Sequence, residues 1–182
     1  MQQIESLFKR KQVGKKFLAY DEVNDGCQWV LDGEGIATVK HDGTACRILN
    51  GALYRRHVIK EGRDVPAGWI HWSDNLEQRS GHGWLPVADH PSDQYHMEAF
   101  SEGMQDGTYE LCGPKIQNNP EGLMGHRLIR HGSIIAPAIQ LTFDAIRHYL
   151  AAVSVEGIVW HHADGRMVKI KRRDFGIQWP PA

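Results

Sequence analysis

No stretch of this 182-residue chain approaches the run of about 20 apolar residues that a bilayer-crossing helix needs. The opening residues MQQIESLFKRKQ also lack the apolar core of a signal peptide, so the expected location is the cytoplasm, with no membrane partner. Cysteine is scarce. Cys27, Cys46 and Cys112 are widely spaced with no C-x-x-C pair, which argues against a disulfide framework and a cysteine zinc site and leaves buried small side chains. An excess of either charge is missing too: 21 Lys and Arg face 22 Asp and Glu, for a net charge of −1. Proteins that hold nucleic acid by general attraction are strongly basic, so any nucleic-acid contact here must be local. The eleven histidines contain no HExxH or Cys/His zinc spacing, and most of them read as surface or loop residues.

What is present fits one domain over residues 1–182, with no internal repeat, long linker or low-complexity tract. Residues 1–12 read as a short helix, and 28–31, 35–40, 45–49 and 52–58 read as strands. Asn50-Gly51 between the last two is a strong hairpin signal. From 61 to 107 the chain is rich in Gly, Pro, His and Trp and reads as loops around one helix, starting at Ser92 as N-cap and ending near 102. Trp69, Trp72 and Trp84 in this stretch suit either base stacking on RNA or core packing. The segment 142–152, TFDAIRHYLAA, places Phe143, Ile146, Leu150 and Val153 on one helical face, with Thr142 as cap, and that face should pack on a sheet. Two basic clusters stand out. Lys9, Arg10, Lys11, Lys15 and Lys16 read as a solvated face, and Lys169, Lys171, Arg172 and Arg173 lie near the end.

The segment from 154 to 176 contains two β-branched runs around Asp164-Gly165, read as a hairpin with a two-residue type I′ turn. With that turn Glu156 would face Arg173, and alternation would put Glu156, Lys169 and Lys171 on one side of the sheet. An odd-length turn would break this placement. The same alternation puts Lys40 and Asp42 on a common side of the preceding strand.

Each short motif is common when taken singly; a K-x-K on an edge strand, for instance, is an ordinary guard against aggregation. Their order is informative. KHDG at 40–43 is followed by YELCGPK at 109–115, EGIVW at 156–160 and KIK at 169–171. This order resembles motifs I, III, IV and V of the covalent nucleotidyltransferases, the superfamily of polynucleotide ligases and RNA capping enzymes. GPKIQNNPEG, LIRHG, EGIVWHHADG and KIKRRDFG further resemble the compact vertebrate-type 5′-3′ RNA ligase group, across about residues 35–176.

The resemblance implies an α+β nucleotidyltransferase fold of antiparallel sheets flanked by helices, without the OB domain of larger ligases. It implies an ATP-dependent RNA ligase that joins RNA 5′-phosphate and 3′-hydroxyl ends. Lys40 would be the nucleophile that carries AMP, and a lysine attacks only when neutral, so its site must disfavour the ammonium. Lys169 and Lys171 would contact the α-phosphate and act with Lys40 in catalysis. Glu156 would hold magnesium or manganese near the phosphate, and Asp42 would position the lysine, the ribose or metal-bound water. Glu110 would bind the ribose, Arg55 or its neighbour Arg56 the ribose or phosphate end, and His131 the purine. Val39 and Gly43 complete the implied nucleotide-binding set. The missing OB domain weighs against GTP-dependent capping and leaves room for an accessory protein. Alternatives are a DNA ligase or guanylyltransferase core, or a nucleotide- or RNA-binding module without turnover.

Overall fold

The computed structural model describes residues 4–74, 77 and 79–180. In chain order the first elements are β1 (Glu5–Ser6), β2 (Phe8–Val13), β3 (Lys16–Val23), the one-turn helix α1 (Gln28–Leu31) and β4 (Ile36–Lys40). Then come β5 (Thr44–Leu49), β6 (Ala52–Ile59), β7 (Ile70–His71), β8 (Gly81–Pro86), α2 (Gln94–Ala99), β9 (Gly107–Cys112) and β10 (Arg127–Arg130). The last are α3 (Phe143–Ala152), β11 (Gly157–His161) and β12 (Met167–Lys171). The class is α+β. No helix among the described residues is long and apolar enough to cross a membrane. The described chain divides into two compact units, one of residues 42–131 and one of residues 4–41 with 132–180.

In the second of these, four strands run in the order β1-β12-β11-β4, antiparallel except for the parallel β1–β12 edge. Ile158, Trp160, Val168 and Ile170 alternate onto one face and form a core with Ile146 and Leu150 of α3 and with Leu7, Phe8, Trp29 and Val30. Ile146 and Leu150 are fully buried, each contributing about 1.5–3 kcal/mol of transfer free energy. The helix is as read: Thr142 caps it by accepting from the Ala145 amide at 3.3 Å, and its apolar face packs on the sheet.

Three expectations are corrected in this unit. Residues 4–12 are not helical, and 1–3 lie outside the described residues: β2 pairs with β3 as a separate antiparallel ribbon, closed by a two-residue turn between Val13 and Lys16. Gly14 takes φ of +62° there, which a glycine adopts at no steric cost. Residues 28–31 form helix α1 rather than a strand, burying the adjacent Trp29 and Val30 together. Four residues hold too few repeats for either period to show. The hairpin β11–β12 also has a different register: Ile158 pairs with Ile170 and Val159 with Lys169. The His162 amide donates to Arg166 and the Gly165 amide back to His162, so three residues, 163–165, form the loop, with Gly165 at φ of +91°.

The 42–131 unit is a six-stranded antiparallel sheet in the order β10-β9-β5-β6-β8-β7. Its core gathers Cys46, Ile48, Leu53, Tyr109 and Leu111. Asn50 and Gly51 turn β5 into β6 with φ of +51° and +72°, so the hairpin read from the sequence is formed, with both central residues at the positive φ of an I′ turn. The region read as loops contains β7 and β8 as well as a short helix. Ser92 is not the cap of that helix; it lies in a 3₁₀ turn, Pro91–Asp93, capped by His90, and Asp93 precedes α2. Trp84 and Trp69 are buried and packed, and a side chain at Gly83 would strike the Trp69 ring at 2.3 Å. Trp72 lies 5.9 Å from Trp84 and donates to the Gly83 carbonyl at 3.2 Å, so these rings serve packing.

Candidate active site

Lys40 is the last residue of β4, and Gly157 of β11 stands between it and Lys171 of β12. Opposed residues project to the same side, so Lys40 and Lys171 flank a position without a side chain. One row along, Thr38, Val159 and Lys169 lie side by side on that same face, with Ser6 of β1 beyond Lys169. One face of the sheet thus carries the apolar core and the other carries three lysines. Val39 pairs with Ile158 on the core side, and its amide donates to the Ile134 carbonyl at 2.8 Å.

Glu156 joins this face by a route that alternation did not supply. The actual register sets it opposite Arg172, whose amide donates to its carbonyl at 2.9 Å, so the odd-length loop removes the premise that it shares a strand face with the lysines. Glu156 precedes the first residue of β11, where period two no longer governs direction. Its buried carboxylate meets Lys40 Nζ at 2.5 Å, Arg173 at 3.2 Å and Lys171 Nζ at 3.8 Å. Likewise β4 ends at Lys40, so alternation does not extend to Asp42.

Burial, first of all, pushes the Lys169 ammonium below its ordinary pKa, and the neighbouring charges of Lys171 and Lys40 add to this. Burial lowers Lys171 as well, against the pull of Glu156. Asp174 is buried at the end of β12, accepting from the Lys171 amide at 2.8 Å and pairing with Arg10 at 3.4 Å. Lys40, Lys169, Lys171 and Arg173 therefore outnumber the carboxylates Glu156 and Asp174. A surplus of positive charge on a half-buried surface suits a phosphate-bearing ligand.

In the 42–131 unit, Glu110 on β9 accepts from the Gly43 amide at 3.1 Å and pairs with His131 Nε2 at 2.8 Å. The Asp42 amide donates to Glu121 at 2.9 Å. Gly43 is explained by close approach: a Cβ there would lie 2.1 Å from the Leu111 carbonyl oxygen and 2.9 Å from Cys112 Sγ. Arg55 on β6 pairs with buried Asp93 at 2.8 Å, whereas Arg56 lies over the Trp72 ring at 5.5 Å. Glu121, Asp93 and Asp174 were not singled out from the sequence, whereas Arg173 was named there in the C-terminal basic cluster and opposite Glu156. Glu121 and Asp174 sit inside quoted motifs, NNPEG and KIKRRDFG, and could have been nominated; for Asp93 no sequence signal marks the pairing with Arg55.

Among the described residues no group of three or more His, Cys, Asp or Glu is placed to hold a metal. Glu156 would fit a magnesium-type site, in which one carboxylate is supplemented by phosphate oxygens and water. The cysteines are free and buried, and burial raises the Cys46 thiol to about 12.

A family model described as RNA ligase 1 matches residues 54–182, which include Glu110, Glu156, Lys169 and Lys171 and begin after Lys40. RNA ligase 1 of Danio rerio is 28% identical over 175 residues, covering 69% of this chain and 53% of that protein. RNA ligase 1 of Pongo abelii is 30% identical over 144 residues, covering 68% and 44% respectively. The chain spans about half the length of the relatives it matches.

Proposed function

Because the chain belongs to the RNA ligase 1 family, we propose that it is an ATP-dependent RNA ligase with a nucleotidyltransferase fold, residues 1–182 acting as one adenylation domain. The carrying observation is Lys40 beside Glu156, with Lys171 and Lys169 on the same face of one sheet. Lys40 Nζ attacks the α-phosphorus of ATP, forming a P–N bond as the α–β phosphoanhydride breaks and pyrophosphate leaves. The AMP then passes to an RNA 5′-phosphate, restoring the amine and creating a 5′–5′ pyrophosphate link. An RNA 3′-hydroxyl attacks that activated phosphate, forming the phosphodiester and releasing AMP.

An ammonium in an ion pair has no lone pair to offer, so Lys40 becomes nucleophilic only when Glu156 is engaged elsewhere and the proton has left. Lys169, Lys171 and Arg173 then bind the negative oxygens of the transferring group. Magnesium or manganese at Glu156, with phosphate oxygens and water, would supply that engagement and neutralise phosphate charge. Asp42, Gly43, Arg55, Glu110 and His131 are read with the nucleotide.

The test incubates the protein with α-labelled ATP or GTP and magnesium and looks for label that survives denaturation, in the unsubstituted protein and in Lys40→Ala. Label from ATP that is lost in Lys40→Ala is the expected result. Label from GTP would move the reading to capping, and no label would leave a binding module. Nicked RNA, nicked DNA and single-stranded RNA, each 5′-phosphorylated, then identify the strand that is joined.

A further inference from the structure

Two concavities meet on the N-terminal ribbon. One, of about 470 Å³, is lined by Arg10, Phe17 and Asn24. The other, of about 650 Å³, is bordered again by Arg10 and Asn24 and reaches Ser6, Lys169 and Lys171. Both are bordered by Arg10 and Asn24, so they adjoin along the ribbon, and together their linings extend from Phe17 to the lysine face described above. The far end is aromatic: Phe17 is 61% exposed and opposite Gln12, which alternates with Arg10, so Phe17 and Arg10 share a ribbon face.

The near end holds polar groups left without direct partners among the described residues. Ser6 is only 8% exposed, stands beside Lys169, and its hydroxyl has no hydrogen-bond partner among the described residues. Buried hydroxyls are rarely left so, because losing water without a replacement is costly. Lys169 is half-buried and carries no direct ion pair among the described residues. Of the three carboxylates along the wall, Asp174 is taken up by Arg10 and the Lys171 amide, and Asp25 by Lys9, which leaves Glu5. The charge left over is positive.

We propose that these adjoining concavities receive the 5′-phosphorylated end of a single RNA strand, with the terminal phosphate at Ser6, Lys169 and Lys171, the following backbone at Arg10, and a base stacked on Phe17. The proposal rests on the ligase reading for its choice of RNA. A site for a lone phosphate would need no exposed ring at its other end, whereas cations leading to an aromatic platform are how single strands are held. The ribbon also precedes the residues matched by the family, 54–182, so the family match says nothing of it.

The test measures fluorescence anisotropy of short single-stranded RNA, 5′-phosphorylated or 5′-hydroxyl, without ATP, using the full chain, Phe17→Ala, Phe17→Trp and Arg10→Gln. Expected results are binding about tenfold weaker in Phe17→Ala, retained binding in Phe17→Trp, and a salt slope smaller by about 0.7 in Arg10→Gln. The 5′-hydroxyl strand should bind more weakly than the phosphorylated one. Circular dichroism melting checks folding, and should Arg10→Gln unfold, the exposed Phe17 variants still give the answer. Unchanged RNA affinity in Phe17→Ala overturns the proposal, as does equal binding of the two RNA ends. Failure of the ligase reading looks different: no label from α-labelled ATP, with anisotropy unaffected.

Discussion

Glu156 is the residue on which three cations converge, and neutralising it leaves Lys40, Lys171 and Arg173 without a common counter-charge. Losing one partner of a fully buried pair costs about 3–5 kcal/mol; here the cations keep some access to water, so Glu156→Gln should lose about 1–3 kcal/mol in urea unfolding. Protein self-labelling with ATP should fall with it. Gly43 makes a different demand. A methyl group there meets a backbone oxygen at 2.1 Å, which no rotamer change relieves, so Gly43→Ala should cost about 1–3 kcal/mol or more by the same measurement. The clash explains a glycine that, in the sequence, was legible only as part of a motif.

Elements were legible where their signal was local and long enough to repeat. Helix α3 shows three turns of apolar spacing and a capping threonine, and Asn50-Gly51 specifies its hairpin by backbone chemistry alone. The N-terminal ribbon was missed because Lys, Arg and Gln around one Phe suit a helix as well, and only Gly14 signals the turn. Loop length decided the β11–β12 register, and Ala163 could not be told from a strand residue. Motif order brought Lys40, Glu156, Lys169 and Lys171 to notice, while their actual contacts depend on where β11 and β12 begin and end. Deleting Ala163 should convert the three-residue loop into a two-residue turn closed by the same residues, His162 and Arg166, so Val159 stays opposite Lys169 and the lysines keep their face. Self-labelling should therefore be retained; its loss would mean that the loop itself, and not the strand pairing, places the lysines. Strand β12 also carries a pH signature. Its lysines titrate below their ordinary 10.5, so between the lowered value and 10.5 the unfolded chain binds more protons than the folded one. Stability therefore rises with pH across that window and is lost as pH falls through it; Lys169→Met should flatten the slope in denaturant titrations run from pH 8 to about 10.5.

At the scale of the molecule, a net charge of −1 hides a surplus of cations on one sheet face. An ATP analogue with an uncleavable α–β bridge, present with magnesium at about a hundred times its dissociation constant, should add about 2.7 kcal/mol of stability. For a chain of this size that raises the melting temperature by about 5–10 °C, and Lys171→Ala should shrink the shift; no shift in the unsubstituted protein would remove the nucleotide from the reading. The chain's layout adds a matter of timing. Lys40 and Glu156 meet across 116 positions, with a whole unit threaded between β4 and its partner strand. During synthesis the ribosome releases the amine long before the carboxylate and cations that surround it, and pairing over such a span is slow. A nascent chain that has not yet reached residue 171 consequently carries the Lys40 amine without Glu156, Lys169 and Lys171 around it.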